Sequence, residues 1–233
     1  LETKEDLQTG TATATAGGFT GIAVLPHTKP VVQSKGEVAY ILNKAKNNLV
    51  DVFPIGAISR DLEGKEIAEL FDMKNAGAIA FSDGSKAITD DGFLSRAMQY
   101  ALGFGGLLML YPENKAIAGK SQVNESANNV LLGMKGVPAL AEEMQIARDI
   151  FLATYHNAPI HISNISTAGS VALIKKAKKD GVKISCDVAA HQLIFTEELL
   201  NDFDSNYKVK PPLRSKTDNK ALIVGLKDGT IDA

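Results

Sequence analysis

Six short runs of apolar, largely β-branched residues recur along the chain, and their spacing limits the folds open to it. They are G-I-A-V-L-P (21–26), V-D-V-F-P-I-G-A-I (50–58), A-G-A-I-A-F (76–81), G-L-L-M-L-Y (106–111), P-I-H-I-S-N-I (159–165) and V-K-I-S-C-D-V (182–188). Between them lie stretches of helical period with charged outer faces, at 35–48, 65–73, 91–102, 138–155, 168–179 and 216–226. Strands apolar at nearly every position are covered on both faces, and strands alternating with helices pair in parallel. A doubly wound sheet and a (β/α)8 barrel both satisfy this pattern.

Local signals place helix ends. Gly64-Lys65-Glu66 is expected to open one helix after a polar turn, with Asn75 or Gly77 supplying the left-handed residue that ends it. Pro138 suits a first turn, and Glu142 and Glu143 follow where acidic side chains favour the helix dipole. Lys175, Lys176, Lys178 and Lys179 lie at the C-terminal end of the fifth helical stretch, just before Gly181.

Two observations separate the architectures. No G-x-G-x-x-G follows the first strand, and Gly17-Gly18 precedes a strand instead of opening a phosphate-binding turn. Polar and titratable residues follow the strands in turn: His27 and Lys29, Ser59-Arg60, Ser82-Asp83, Glu113-Asn114, Asn164 and Ser166, then Asp187 and His191. In a barrel these share the C-terminal mouth, where barrel enzymes carry their chemistry. The barrel is therefore favoured, as a single domain over 1–233, a length that α/β barrels reach without splitting.

Bulk properties remove other classes. With 45% hydrophobic and 22% charged residues the chain is ordinary for a soluble globular protein, so global disorder is excluded. A formal net charge of -2 and the lack of a dense Lys/Arg run give no pull toward nucleic acid or anionic lipid. No apolar run approaches the roughly 18 residues needed to span a bilayer. Cys186 is the single cysteine and has no internal partner, so a cytoplasmic location is expected. L-E-T-K-E-D is too polar for a signal peptide, and a start at Leu1 points to an N-terminal piece outside this sequence.

Read in order, the loops resemble the dihydroorotase branch of the metal-dependent amidohydrolases. K-E-D-L-Q-T-G (4–10) and A-G-G-F-T (16–20) look like its first helix, and V-L-P-H-T-K-P (24–30) looks like its M-P-N-T-x-P loop. A-F-S-D-G (80–84) resembles F-S-D-D-G, and L-L-G-M-K-G-V-P-A-L-A-E-E (131–143) with Ala147-Arg148-Asp149 resembles L-G-L-x-G-I-P-x-x-A-E-E…A-R-D. H-I-S-N-I-S-T (161–167) is similar to H-x-x-H-x-S-T, C-D-V-A-A-H-Q-L (186–193) to x-E-V-T-P-H-H-L, and Y-K-V-K-P-P-L-R (207–214) to F-K-V-N-P-P-L-R. The resemblance implies the central portion of an amidohydrolase-type (β/α)8 barrel. The first strand, with its H-x-H-x-R, and most of the last, with its T-D-H-A-P-H, are expected outside this sequence. Such a portion has two unpaired sheet edges, which invites pairing with missing segments or another chain.

The resemblance also implies a chemistry: a hydroxide held between two divalent metals, usually zinc, attacks a cyclic amide. Asp83 matches the F-S-D carboxylate and is the one remaining metal-ligand candidate, although Gly84 replaces the second aspartate. Tyr111 stands where H-A-E-D has its ligand histidine, and Asn164 replaces the ligand histidine of H-x-x-H. His27 stands where P-N-T has its asparagine, and Lys210 where V-N-P-P has its own. A phenol of reference pKa near 10 and a neutral amide oxygen are poor zinc ligands at about pH 7. No cofactor and no catalytic residue are therefore expected from this chain alone, and zinc only if the family site survives in a longer protein.

The remaining residues have plainer readings. His161 and His191 are expected to be hydrogen-bonded structural histidines, Cys186 a buried small hydrophobe, and Glu142 and Glu143 a helix-start surface pair. Lys208, Lys210 and Arg214 are expected to form a solvated loop, with an anion or partner contact as the alternative. Two functions follow from the resemblance. One is a non-catalytic dihydroorotase-like protein of pyrimidine biosynthesis, partnered by aspartate carbamoyltransferase or its own copies. The other is a working cyclic amide hydrolase that draws ligands from flanking segments.

Overall fold

The structure of the protein, a computed structural model, describes residues 5–233. They form two compact units, one within residues 1–109 and the other within 110–233.

In the first unit α1 (Leu7–Ala16) begins after Asp6, whose carboxylate accepts the Thr9 N–H while the Thr9 hydroxyl accepts the Asp6 N–H. Lys4, the first residue of the expected helix motif, lies outside the described residues. There follow β1 (Gly21–Val24), α2 (Lys35–Ala45), β2 (Asp51–Gly56), α3 (Leu70–Ala76), β3 (Ala80–Phe81), α4 (Asp91–Leu102) and β4 (Leu108–Leu110). The strands pair in parallel, β1 to β2 from Gly21↔Asp51 to Val24↔Pro54, β2 to β3 at Ile55↔Ala80, and β3 to β4 at Phe81↔Leu108. Helices α3 and α4 bury Leu70, Met73, Phe93, Leu94 and Met98, and the sheet buries Ile55 and Phe81. Ser34 caps α2 through a capping box with Glu37, as S-x-x-E predicts.

One helix starts later than expected. The segment after β2 pairs with itself: Arg60 N–H donates to Glu66 O (2.9 Å), Ala68 N–H to Ile58 O (2.9 Å), and Ser59 bridges Ile67. Asp61 and Leu62 turn the chain with positive φ (52° and 57°), the bridge holds 66–68 out of a helical ladder, and α3 opens only at Leu70. Its end is where the sequence places it, at Gly77 with φ 111°. That cap shortens β3 to two residues.

The second unit contains α5 (Lys115–Ala118), β5 (Val123–Asn124), α6 (Ala127–Leu131), β6 (Gly136–Val137), α7 (Leu140–His156), β7 (Ile160–Ile162), α8 (Ala168–Lys179), β8 (Ile184–Cys186) and α9 (Lys216–Lys227). β7 and β8 pair in parallel at Ile160↔Ile184, His161↔Ser185 and Ile162↔Cys186. The elements from 115 to 137 were not expected; at two to five residues each they are too short to carry a period. Among the described residues no helix is long and apolar enough to cross a membrane.

Gly77 tests the packing of the first unit. A Cβ there would meet Leu42 Cδ1 at 2.8 Å, on a backbone of positive φ. Gly77→Ala is expected to lower stability by about 1–2 kcal/mol, seen as a lower urea midpoint with an unchanged transition slope.

Candidate functional site

Within the first unit the loop after β3 carries Asp83 and the loop after β1 carries His27. Asp83 is buried: Oδ1 accepts the backbone N–H of Ile58 (2.9 Å) and Ser59 (3.0 Å), and Oδ2 accepts the Ser59 hydroxyl (2.5 Å). Burial pushes its carboxyl above the ordinary range, opposed by these three donors. Both oxygens are thus engaged in holding the loop after β2. His27 is exposed, and its Nδ1 lies 3.0 Å from where a Cβ on Gly84 would sit. Gly84 (φ 64°) therefore gives the imidazole its room, at the position where the family pattern has a second aspartate.

Within the second unit the segments that carry Tyr111 and Asn164 are joined by one backbone bond, Ser163 N–H donating to Leu110 O (2.9 Å). Tyr111 is buried, and burial pushes its phenol pKa far above the ordinary value, with Glu113 and Glu142 adding to the shift. Lys210 stands with it, its ammonium 5.1 Å from the ring centroid and 2.6 Å from Glu113 Oε2. These groups line a cavity of about 200 Å³ with Gln122, Lys208 and Arg214. Asn164 takes φ 58°, a left-handed backbone that asparagine tolerates, and its N–H donates to Asp187 Oδ1 (2.7 Å).

The structure departs from the expected solvated loop and surface acids. Arg214 is buried, its Nε donating to Ser166 Oγ (3.0 Å) and its Nη1 to Asn124 Oδ1 (2.8 Å) and Val137 O (2.9 Å). Glu142 is buried as well. Its Oε1 accepts Ser166 N–H (2.7 Å), Thr167 N–H (3.2 Å) and the Ser170 hydroxyl (2.7 Å), its Oε2 accepts the Ser166 hydroxyl, and Arg214 Nη2 stands 3.6 Å away. Glu143 accepts the Thr167 hydroxyl (3.0 Å) at the start of α8. A Cβ on Gly169 would meet Glu143 Oε1 at 2.1 Å, so any larger residue there would displace that carboxylate. A signal existed for this cluster: Glu142, Gln145 and Asp149 share the face of α7 that buries Ile146 and Ala153.

His161 bonds through both ring nitrogens, Nδ1 to Ser185 Oγ and Nε2 to Asp187 Oδ2, each at 2.8 Å. The ring thereby spans β8. His191 has a buried Nε2 with no hydrogen-bond partner, and burial lowers its pKa. Cys186 is buried, its thiol pushed up to about 12 by burial.

The donors present do not fit a zinc pair. Asp83 spends both oxygens on backbone and hydroxyl donors, Tyr111 is held as a neutral phenol, and Asn164 offers only an amide. Among the described residues, no group of three or more His, Cys, Asp or Glu stands together to hold a metal ion.

Solved structures define the class to which this architecture belongs. The chain superposes on an L-hydantoinase from Arthrobacter aurescens with TM-score 0.81 at 23% identity, covering 98% of this chain and 52% of that one. A Saccharomyces cerevisiae dihydroorotase in complex with 5-fluoroorotic acid gives TM-score 0.67 at 18% identity, over 94% of this chain and 61% of that one. These likenesses show the fold, that of the hydantoinase and dihydroorotase barrels, of which the chain matches a part.

Sequence comparison narrows the class to a family. The "Dihydro-orotase-like" family model matches residues 1–170, and the chain belongs to that family. It is 44% identical over its full length to a dihydroorotase of Citrifermentans bemidjiense and 45% identical to one of Acetivibrio thermocellus. The chain spans 55% of the length of each of these relatives.

Three variants test the site. Arg214→Met leaves Glu142 buried without its cation and is expected to cost about 3–5 kcal/mol in urea unfolding. Lys210→Met removes the half-exposed cation of a pair whose Glu113 is mostly buried, and is expected to cost about 1–3 kcal/mol by the same measurement, less than Arg214→Met. His191 adds a pH dependence. Its folded pKa lies below 6.5, so the unfolded chain binds the proton first. That contribution to stability is full above the unfolded value and is lost as pH falls through the folded one. The urea midpoint should begin to drop as pH falls toward 6.5 and go on falling below it, and His191→Phe should flatten part of that drop.

Proposed function

We propose that this chain is a non-catalytic member of the dihydroorotase-like family, serving pyrimidine biosynthesis without opening the ring itself. One observation carries the reading: Lys210, at a substrate position of the family pattern, places its ammonium on Glu113 and over the ring of Tyr111, at a ligand position. The two replaced positions are satisfied by one another. A buried phenol kept neutral supplies no thiolate-, imidazole- or carboxylate-like donor, and a bound metal is what would generate hydroxide at neutral pH. Asp83 and the pair His27–Gly84 support the same reading from the first unit.

A second reading is favoured by the 44–45% identity to proteins named dihydroorotase. It is a metal-dependent cyclic amide hydrolase that converts dihydroorotate and water to N-carbamoyl-aspartate with ligands from outside this chain. Metal analysis and turnover decide between them. After purification in the presence of zinc, the protein is expected to retain less than about a tenth of an equivalent and to show no metal-dependent loss of dihydroorotate. Turnover in the usual enzymatic range of about 1–1000 per second overturns the proposal.

A further inference from the structure

Strands β7 and β8 divide their side chains between two faces. Ile160, Ile162, Ile184 and Cys186 are buried. His161 pairs with Ser185 across the two strands and Asp187 comes two residues further on, so the alternation of a strand puts these three on the other face. There they are joined end to end. Asp187 Oδ2 stands 2.8 Å from His161 Nε2, and His161 Nδ1 stands 2.8 Å from Ser185 Oγ. The carboxylate is itself held, its Oδ1 accepting the Asn164 N–H at 2.7 Å. The row is half-buried without being sealed: the side chains of His161 and Asp187 are 14 and 28% exposed, and Ser185 is half-buried.

The proton positions follow from valence. An ionised carboxylate accepts hydrogen bonds and donates none, so in the neutral ring the proton sits on Nε2 and Nδ1 carries a bare lone pair. The Ser185 hydroxyl then donates to that nitrogen. Among the described residues the ring is the hydroxyl's one hydrogen-bond partner. A serine whose proton points at an imidazole, with the imidazole oriented by a carboxylate, is the arrangement of an activated hydroxyl nucleophile. Here the serine meets Nδ1 and the carboxylate Nε2. The exchange of nitrogens changes nothing essential, because protonating either one gives the same imidazolium beside the same carboxylate.

We propose that Ser185, His161 and Asp187 form a metal-independent acyl-transfer site, with Ser185 as nucleophile, His161 as general base and Asp187 as the residue that positions the ring. Its substrate class is an aryl ester of a short acid. Ser185 Oγ bonds to the ester carbonyl carbon as its proton passes to His161 Nδ1. The bond from that carbon to the aryl oxygen breaks, and the departing phenolate takes the proton. A water molecule then gives a proton to the same nitrogen, adds to the acyl carbon and displaces Ser185 Oγ, which recovers the proton. Ester and water become carboxylic acid and phenol, and nothing is oxidised or reduced. Phenolate is a good leaving group, whereas the nitrogen of a cyclic amide is a poor one, so ring opening lies outside this class. The site uses none of the groups assigned to metal or ring, and its failure would leave the question of ring opening where it is.

The probe is p-nitrophenyl acetate, given to the full chain in buffer that contains a chelator. Release of p-nitrophenolate is expected to fall at least about a hundredfold in Ser185→Ala, the scale of a general-base contribution. Mass spectrometry after an acid quench should find acetyl on Ser185 of the parent chain. His161→Gln, whose amide offers a hydrogen bond and no base, should lose as much rate as Ser185→Ala. Asp187→Asn can still accept the Asn164 N–H, and it should slow acetylation of Ser185 at least about tenfold with an unchanged circular dichroism spectrum, while Asp187→Glu restores part of the rate. A merely structural carboxylate would leave the rate unmoved wherever the spectrum is. Ester loss at the parent rate in Ser185→Ala, acetyl confined to lysines, or acetylation of Ser185 as fast in His161→Gln as in the parent chain overturns the proposal.

Discussion

A carboxylate withdrawn from water must be met by donors on every side, and Glu142 imposes that requirement on the second unit. Left bare it would cost several kcal/mol. Its position at the start of α7 forces the loop after β7 to present two backbone N–H groups and the Ser166 hydroxyl, and forces α8 to offer Ser170. Arg214 completes the set and passes the constraint on to Asn124 and to the carbonyl of Val137. Asn124 in turn donates to Glu197, which also takes the Ser126 hydroxyl. Residues distant in the chain are thereby fixed to one another by a hydrogen-bond network that is almost fully satisfied, the condition under which buried polar groups specify a structure. The loop holding Lys210 ends at Arg214, so the same anchor sets where that ammonium is delivered.

The βα alternation was legible because long amphipathic stretches and all-apolar strands write their period into the sequence. α4 and α8 begin and end where that period places them, and Thr167 caps α8. Failures came where local pattern and tertiary pairing disagree. Residues 64–69 read as a helix start, yet the bridge of Ser59 to Ile67 claims their backbone, and no period reports a bond made to another segment. Glu142 lies both in the first turn of α7, which suits the dipole, and on the buried face of the helix, and the second placement decides its environment. Acidic residues at a helix start are usually solvated, so the rule that misled here is the one that usually holds.

At the site, sequence shows substitutions one at a time, and the structure shows which of them accommodate one another. Gly84 in place of a carboxylate makes space that His27 uses. Lys210 in place of a neutral amide supplies a cation that Glu113 takes at 2.6 Å, and it does so above the ring at position 111. These couplings are unreadable from spacing, since 27 and 84, or 111 and 210, meet only through the fold. Asn164 is compatible with its local backbone, a positive φ that asparagine and histidine both tolerate.

The energetics of the two cation sites explain how such changes leave the fold intact. Lys210 is about half exposed and Glu113 mostly buried, so their pair is screened on the lysine side and contributes less to folding than a fully buried one. Arg214 is buried and hydrogen-bonded to three groups on other segments, so its loss strands a carboxylate and a carbonyl together. The weight of the second unit thus rests on positions where the chain matches its family pattern, P-P-L-R and A-E-E, and not on the positions that depart from it. Side chains at positions 111 and 210 can therefore differ from the family pattern while the segments beneath them keep the family's fold.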